Sequence, residues 1–423
     1  MQTHTFRSRR PPGSLRSEPL RLCPIDPIAL VAASVQSIGW IPLEIQGRQS
    51  NRRRAPLVVH PMSSRAGTPS RGWATIASVR GARPAATAPE AMLMPLSSAR
   101  NKDKRQLMVI SHTHWDREWY LPYQSFRVRL VGLFDMLLDI FDSDPGYKHF
   151  MLDGHTIPLE DYLEVRPDRF DDLERVVQQG KLLVGPWYII PDEALPGGEA
   201  LVRNILRGHR VAKAFGPVMK VGYIPDPFGQ IAHMPAIFRG FGIEYATMWR
   251  GADDSLKTSE FFWRSPDGSE VLTIHKPKGY GSAASLPQQP KQLLARIQAI
   301  RDELEPLATT PYVLVMNGSD HLPPQPELSS MIRAANMEIE GAVLEHSSLP
   351  EVFDNVRRYI GDRAHDWPVH MGEFRSGQRA HLLPGVLSAR MWIKQQNQEC
   401  EDLLAHWAEP FSTWADILKK QVG

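Results

Sequence analysis

The sequence predicts an α/β fold with a mostly parallel sheet and helices packed outside it. From Asn101 onward, short apolar runs of strand length alternate with longer runs of helical period, and such alternation calls for crossover connections between parallel strands. Three of the strand-like runs end in His and Asp side chains, at the edge where α/β folds place their chemistry.

The first strand is expected at Leu107–His112. A helix follows at Phe126–Phe141, where Leu130, Leu133, Met136, Leu137 and Ile140 recur at helical spacing. A strand at Phe150–Leu152 precedes a helix at Arg169–Gln179, and a strand at Leu182–Gly185 precedes a helix at Ala200–Phe215. Further strands fall at Val218–Ile224, Tyr245–Trp249 and Val271–His275, then, after a helix at Pro290–Leu304, at Tyr312–Met316. Ser388–Trp414 reads as one long helix. The alternation by itself leaves an open sheet and a barrel both available.

The first strand runs into Ser-His-Thr-His-Trp-Asp-Arg-Glu-Trp at residues 111–119. His114 and Asp116 are two apart, so in extended backbone they project from one face. A neutral imidazole and a carboxylate presented together suit a zinc-type cation, although an isolated His-x-Asp also reads as a hydrogen-bonded structural pair. The strand ending at Ile224 delivers Asp226 between Pro225 and Pro227. The two prolines restrict their own φ and the residue before them. That makes a stiff corner suited to a nucleophile, or an ordinary Asp-Pro turn. The third run, Pro311–Asn317, ends in Gly-Ser-Asp-His at residues 318–321. A metal with two spare carboxylates points to hydrolysis of a polar substrate.

Taken together these residues resemble the glycoside hydrolase family 38 α-mannosidases, in particular their shorter bacterial and cytosolic branch. The matching elements are His114-Trp115-Asp116 with Trp119, and Trp187–Ala194 running into Gly197–Arg203. Pro225–Gly229, with Asp226 110 residues after Asp116, and Gly318-Ser319-Asp320 complete the set. The resemblance covers residues 106–419. It implies a seven-stranded, barrel-like (β/α) catalytic domain over residues 105–376 and the start of a helical middle domain over residues 377–423. It also implies a zinc-dependent retaining α-mannosidase acting on a mannose-containing oligosaccharide or mannoside. In that reading His114, Asp116 and Asp226 ligate one zinc ion, Asp226 also attacks the anomeric carbon, and Asp320 is the general acid/base. Trp119 would floor the sugar, Asp192 and Trp187 would belong to the sugar-contacting segment, and Arg250 would support the nucleophile. His112 is expected in the core or behind the ligands. A retaining mechanism needs its two carboxyl groups roughly 5 to 5.5 Å apart. Its acid must keep a proton near neutrality through burial or a nearby negative charge.

The sequence departs from the family at one ligand. The family's fourth zinc ligand lies in an Asn-x-x-His-Asp-type segment, and no such segment follows here, the last histidine being His406. The expectation is a truncated chain whose metal site is one ligand short and whose activity is in question, with His321 and His381 as substitute ligands. Residues 1–104 read as an extension: residues 1–100 hold 14 Arg and no Lys, with Glu18, Asp26, Glu44 and Glu90 as the acids. Such a segment suits a targeting peptide or a nucleic-acid arm. Without an amphipathic Arg helix or a signal-type apolar core it reads rather as a disordered or non-native extension.

The net charge of +2 and the concentration of basic residues in the extension imply no nucleic-acid partner for the folded part. The apolar run Ile28–Val35 is far shorter than the ~20 residues a membrane span needs. Cys23 and Cys400 do not read as a disulfide, which suggests a reducing, cytoplasmic compartment. Two alternatives remain. One is a mannosylglycerate-type hydrolase of the same family, marked by a cationic aglycone pocket with Arg375, Arg379 or Lys394. The other is a non-catalytic carbohydrate-binding remnant that keeps Trp119, Asp192 and Trp187. A polysaccharide deacetylase would place two histidines at i and i+4 near a strand end, and no such pair is found there.

Overall fold

The computed structural model describes residues 104–418. The expected extension, with Cys23, lies outside the described residues. Strand β1 (Arg105–Ser111) is buried throughout from Leu107, as a continuous apolar run requires of a central parallel strand. Its side chains alternate between two core layers: Leu107 and Val109 join one cluster, Met108 and Ile110 another. Strands β2 (Phe150–Met151), β3 (Leu182–Leu183), β4 (Val221–Ile224) and β5 (Tyr245–Met248) follow, then β6 (Glu260–Arg264) and β7 (Glu270–His275). The last are β8 (Tyr312–Asn317), β9 (Ala342–His346) and β10 (Val369–Met371).

These strands form sheets in the orders β8-β1-β9, β10-β6-β7-β5-β4 and β2-β3. Every pairing is parallel except β6 with β7. Single links join the sheets: His112 bridges Met151, and the Met219 N–H donates to the Val184 carbonyl at 2.9 Å. None of the sheets closes on itself, so the expected seven-stranded barrel is met only as an α/β fold with small sheets. Strands of two residues at β2 and β3 offer too few ladder bonds to close a ring. The sequence reading missed the β6–β7 hairpin, whose turn is Ser265-Pro266-Asp267-Gly268. The Ser265 N–H donates to the Ser269 carbonyl, and Asp267 Oδ1 accepts the Ser269 N–H.

The helix Tyr123–Ser143 buries Phe126, Leu130, Leu133, Phe134, Leu137 and Phe141, while Met136 lies exposed on its outer face. Helices Phe170–Gln178, Gly198–Lys213 and Pro290–Leu304 agree with the expected positions. The long helix expected from Ser388 begins at Met391, after Arg390 at φ 49°, and continues through a π-helical stretch at Leu403–Ala408 into Glu409–Ile417. Trp392, Trp407 and Trp414 on it are exposed, as is the free Cys400. Among the described residues no helix is long and apolar enough to cross a membrane.

Gly318 lets the end of β8 lie directly on the end of β1. A Cβ there would sit 2.0 Å from the His112 carbonyl oxygen, which a backbone atom cannot relieve. Gly318→Ala is therefore expected to lower stability by about 1–3 kcal/mol. Gly132, inside the Tyr123–Ser143 helix, has nothing within 4 Å of its added Cβ, so Gly132→Ala should raise stability by roughly 0.5–1 kcal/mol. Urea midpoints of the two variants check both signs.

Candidate active site

The strand ends converge on a cleft of about 610 Å³, lined by residues that include His114, Asp116, Trp119, Asp153, Asp192 and Asp226. His114 follows β1, and its backbone pairs with the segment after β8: its N–H donates to the Ser319 carbonyl, and its own carbonyl accepts the His321 N–H. This pairing, which Gly318 permits, draws Asp320 beside His114.

The side chain of His114 is buried, with Nδ1 2.9 Å from Asp153 Oδ2 and 3.1 Å from Oδ1. Its other nitrogen, Nε2, is buried without a hydrogen-bond partner and lies 3.7 Å from Asp116 Oδ1. Burial pushes the imidazole down, but Asp153, Asp116 and Asp226 together outweigh it and raise its pKa to about 9. The site thus carries more carboxylate than its own side chains neutralise, and it recruits a proton where a cation could sit.

Asp153 is fully buried at φ 48° in the turn after β2, and its Oδ2 also accepts the Trp115 N–H at 2.8 Å. Burial alone would raise its carboxyl, but His114, His155 and the Trp115 N–H bring it below the ordinary value. The sequence reading missed Asp153. Its signal is an Asp-Gly pair just past a strand, the same strand-end placement that marked Asp116 and Asp226.

Asp226 leaves the end of β4. Both contacts from Arg250, Nε at 2.8 Å and Nη2 at 2.7 Å, fall on Oδ1, and Arg250 Nη1 donates to the His381 carbonyl. Burial holds the Asp226 carboxyl above its ordinary value against the pull of His114 and Arg250, and Asp320 adds to the rise. Asp320 Oδ1 accepts the Tyr280 hydroxyl at 2.7 Å. Tyr280, missed by the sequence reading, sits on the turn after β7 with its ring 4.6 Å from that of His114. Asp320 is exposed, so the burial expected of a general acid is not supplied by the described residues.

The remaining expected site residues divide. Trp119 is 68 % exposed on the cleft. Asp192 lines the cleft, and its Oδ1 accepts the Phe228 N–H. Trp187 is a correction: it is buried, its indole N–H donates to the Tyr223 carbonyl, and its ring packs on Phe238, so it offers the cleft no face. His112 is buried with both ring nitrogens facing carbonyl oxygens, of Thr113 and Tyr280. His321 stacks on Phe126 and turns Nε2 to the Asp116 carbonyl. His381 reaches the site through its backbone carbonyl. Neither histidine is placed as a substitute ligand.

The donors fit zinc in type. A buried imidazole nitrogen without a partner faces a carboxylate, and its far nitrogen is tied to a second carboxylate, as metal-bound histidines usually are. Among the described residues, however, no group of three or more His, Cys, Asp or Glu side chains is drawn together closely enough to hold a metal.

An α/β domain with carboxylates and an unpartnered imidazole gathered at its strand ends has the makings of a hydrolytic site. The family model of the glycosyl hydrolases family 38 N-terminal domain matches residues 104–373, and the chain belongs to that family. It is 34% identical over 323 residues to a putative mannosylglycerate hydrolase of Halalkalibacterium halodurans, covering 73% of this chain and 36% of that protein. It is 25% identical over 322 residues to α-mannosidase 2C1 of Homo sapiens, covering 74% and 29% of the two chains. The crystal structure of an α-mannosidase from Enterococcus faecalis V583 superposes with a TM-score of 0.68 at 32% identity, covering 71% of this chain and 34% of that one. The chain therefore spans about a third of the length of these relatives.

Two outcomes follow from the His114–Asp153 pair. His114 binds its proton more tightly in the folded state, so its stabilising contribution is complete below pH 6.5 and is lost as pH rises towards about 9. In the metal-free protein His114→Phe should flatten the loss of stability over that window, as pH-dependent urea unfolding would show. Asp153→Ala removes the main support for the His114 proton, so the buried ring deprotonates and its Nδ1 is left without a partner, which should cost about 1–3 kcal/mol. A loss under 1 kcal/mol would contradict the pairing.

Proposed function

We propose that the chain is the catalytic domain of a zinc-dependent retaining α-mannosidase. The observation that carries this reading is the unpartnered Nε2 of His114, buried among carboxylates in a cleft that also holds Asp226 with one oxygen free, and with Asp320 paired beside His114 through the backbone. His114, Asp116 and Asp226 are the residues that would hold zinc. When bound, the ion would orient the sugar's hydroxyls and favour its distortion, rather than generate hydroxide.

The chain's own residues divide the work of the reaction. Arg250 occupies Oδ1 of Asp226 and leaves Oδ2 to attack the anomeric carbon. The positive guanidinium favours the ionised form against the burial that pushes the carboxyl up. Asp320 protonates the departing oxygen and then takes a proton from the water that releases the glycosyl-enzyme. Tyr280, donating to Oδ1 of Asp320, fixes the rotamer and leaves Oδ2 for the proton transfers. A bound glycoside closing over the cleft supplies the exclusion of water that exposed Asp320 lacks in the free protein. The indole of Trp119 offers an apolar platform for the sugar's C–H face.

A mannosylglycerate-type substrate is the second reading, favoured by one cation. Arg379 is paired with Asp254, and Lys394 donates to the Ala389 carbonyl. Arg375 is exposed beside Gly229 and has no ion pair among the described residues, so it is free to meet a carboxylate on the aglycone.

Steady-state hydrolysis separates the roles. Asp226→Asn should abolish turnover of every mannoside. Asp320→Ala should slow an alkyl mannoside by about 10²–10⁴-fold and 4-nitrophenyl α-mannoside much less, because that leaving group needs little proton help. Equal losses on both substrates would remove Asp320 from the acid role.

A further inference from the structure

The segment carrying Asp226 is held in place by two consecutive acids. Asp192 Oδ1 accepts the Phe228 N–H at 3.0 Å, and Glu193 Oε2 accepts the Ile231 N–H at 2.8 Å. Glu193 is buried, and its other oxygen, Oε1, has no partner among the described residues. Burial, with the neighbouring Asp192, pushes its carboxyl up to about 8 against the pull of the Ile231 N–H. A buried acid is a costly group with which to hold a single amide, so its place beneath this loop calls for a reason.

The acids are themselves referenced to a rigid element. Asn204, on the Gly198–Lys213 helix, accepts the N–H groups of Tyr188 and Ile189 on Oδ1 and donates Nδ2 to the Ile189 carbonyl. On the other side of the loop, Gln230 pairs with Phe374 in both backbone directions, and its Nε2 donates to the carbonyls of Pro227 and Arg250. The stretch from Phe228 to Ile231 is thus fixed at Phe228, Gln230 and Ile231, and Asp226 lies two residues before it, with Arg250 on one oxygen.

We propose that Glu193, together with Asp192, is a positioning residue for Asp226: the two acids set the path of Phe228–Ile231 and so the direction in which the Asp226 carboxylate leaves β4. The inference deepens the proposed function and rests on it for the role of Asp226. Displacing a reacting group by about 1 Å can cost on the order of 10²-fold in rate, which gives a buried clamp on this loop its purpose. Asp192 also lines the cleft, so Glu193 is the cleaner probe.

The test compares Glu193→Met, which fills the space but cannot accept the Ile231 N–H, with Glu193→Gln, which keeps an acceptor and the shape of the protonated acid. On the full chain supplied with zinc, hydrogen exchange of a peptide spanning residues 226–231 is read against the β1 peptide, and kcat and KM are measured on 4-nitrophenyl α-mannoside. Glu193→Met should speed exchange of the loop by about tenfold or more, the loss of one buried hydrogen bond. It should also lower kcat by about 10–100-fold with KM little changed. Glu193→Gln should restore both. Unchanged loop exchange in Glu193→Met, or failure of Glu193→Gln to restore it, overturns the proposal. If the unsubstituted chain hydrolyses no mannoside, the proposed function fails by itself and the exchange comparison still decides the clamp.

Discussion

The contact between the buried Asp153 carboxylate and Nδ1 of His114 is the interaction on which the site depends. A carboxylate with no exposure is tolerated only when its oxygens are occupied, and here one imidazole and the Trp115 N–H occupy them. The pairing fixes the ring of His114 and turns Nε2 towards Asp116 and Asp226. The surplus negative charge that remains makes the pocket a place for a proton in the free protein and suits it to a cation in a loaded one.

The fold supplies the convergence that this contact needs. β1 lies between β8 and β9 with its side chains divided between two apolar layers, so its end is fixed in depth and rotation. The missing Cβ at Gly318 lets the end of β8 rest on the His112 carbonyl, which brings Asp320 beside His114, where Tyr280 from the turn after β7 meets it. From the opposite side β4 delivers Asp226, which Arg250 holds by one oxygen. Among the described residues His114 and Asp116 face one another, and Asp226 is held by Arg250 on one oxygen with the other left open.

Much of this was legible in the sequence because its motifs are local. His114, Asp116, Asp226 and Asp320 each follow an apolar run of strand length, and the structure puts each past a strand end, the first three on one cleft and Asp320 beside His114. Asp153 was missed, since it contacts a residue 39 positions away and its Asp-Gly, though just past a strand, also reads as a turn. Tyr280 was missed because a tyrosine in a glycine-rich turn carries no pattern that aims it at a carboxylate. Trp187 was misread because membership of a conspicuous segment does not say which face a side chain takes, and its indole turns inward to a backbone carbonyl. The expectation of a seven-stranded barrel is not confirmed, the sheets being small and none of them closed. The exposure of Asp320 could not be read at all, because burial of a loop residue depends on what covers it.

The most direct test of the account is calorimetric titration of zinc into the metal-free chain at pH 7.5, repeated in buffers of different ionisation enthalpy. His114 with a pKa of about 9 holds a proton there, so binding at Nε2 must expel it. The account predicts a single tight site that releases close to one proton, with both the heat and the proton lost in His114→Phe. Zinc binding that releases no proton, or that survives His114→Phe unchanged, would contradict it.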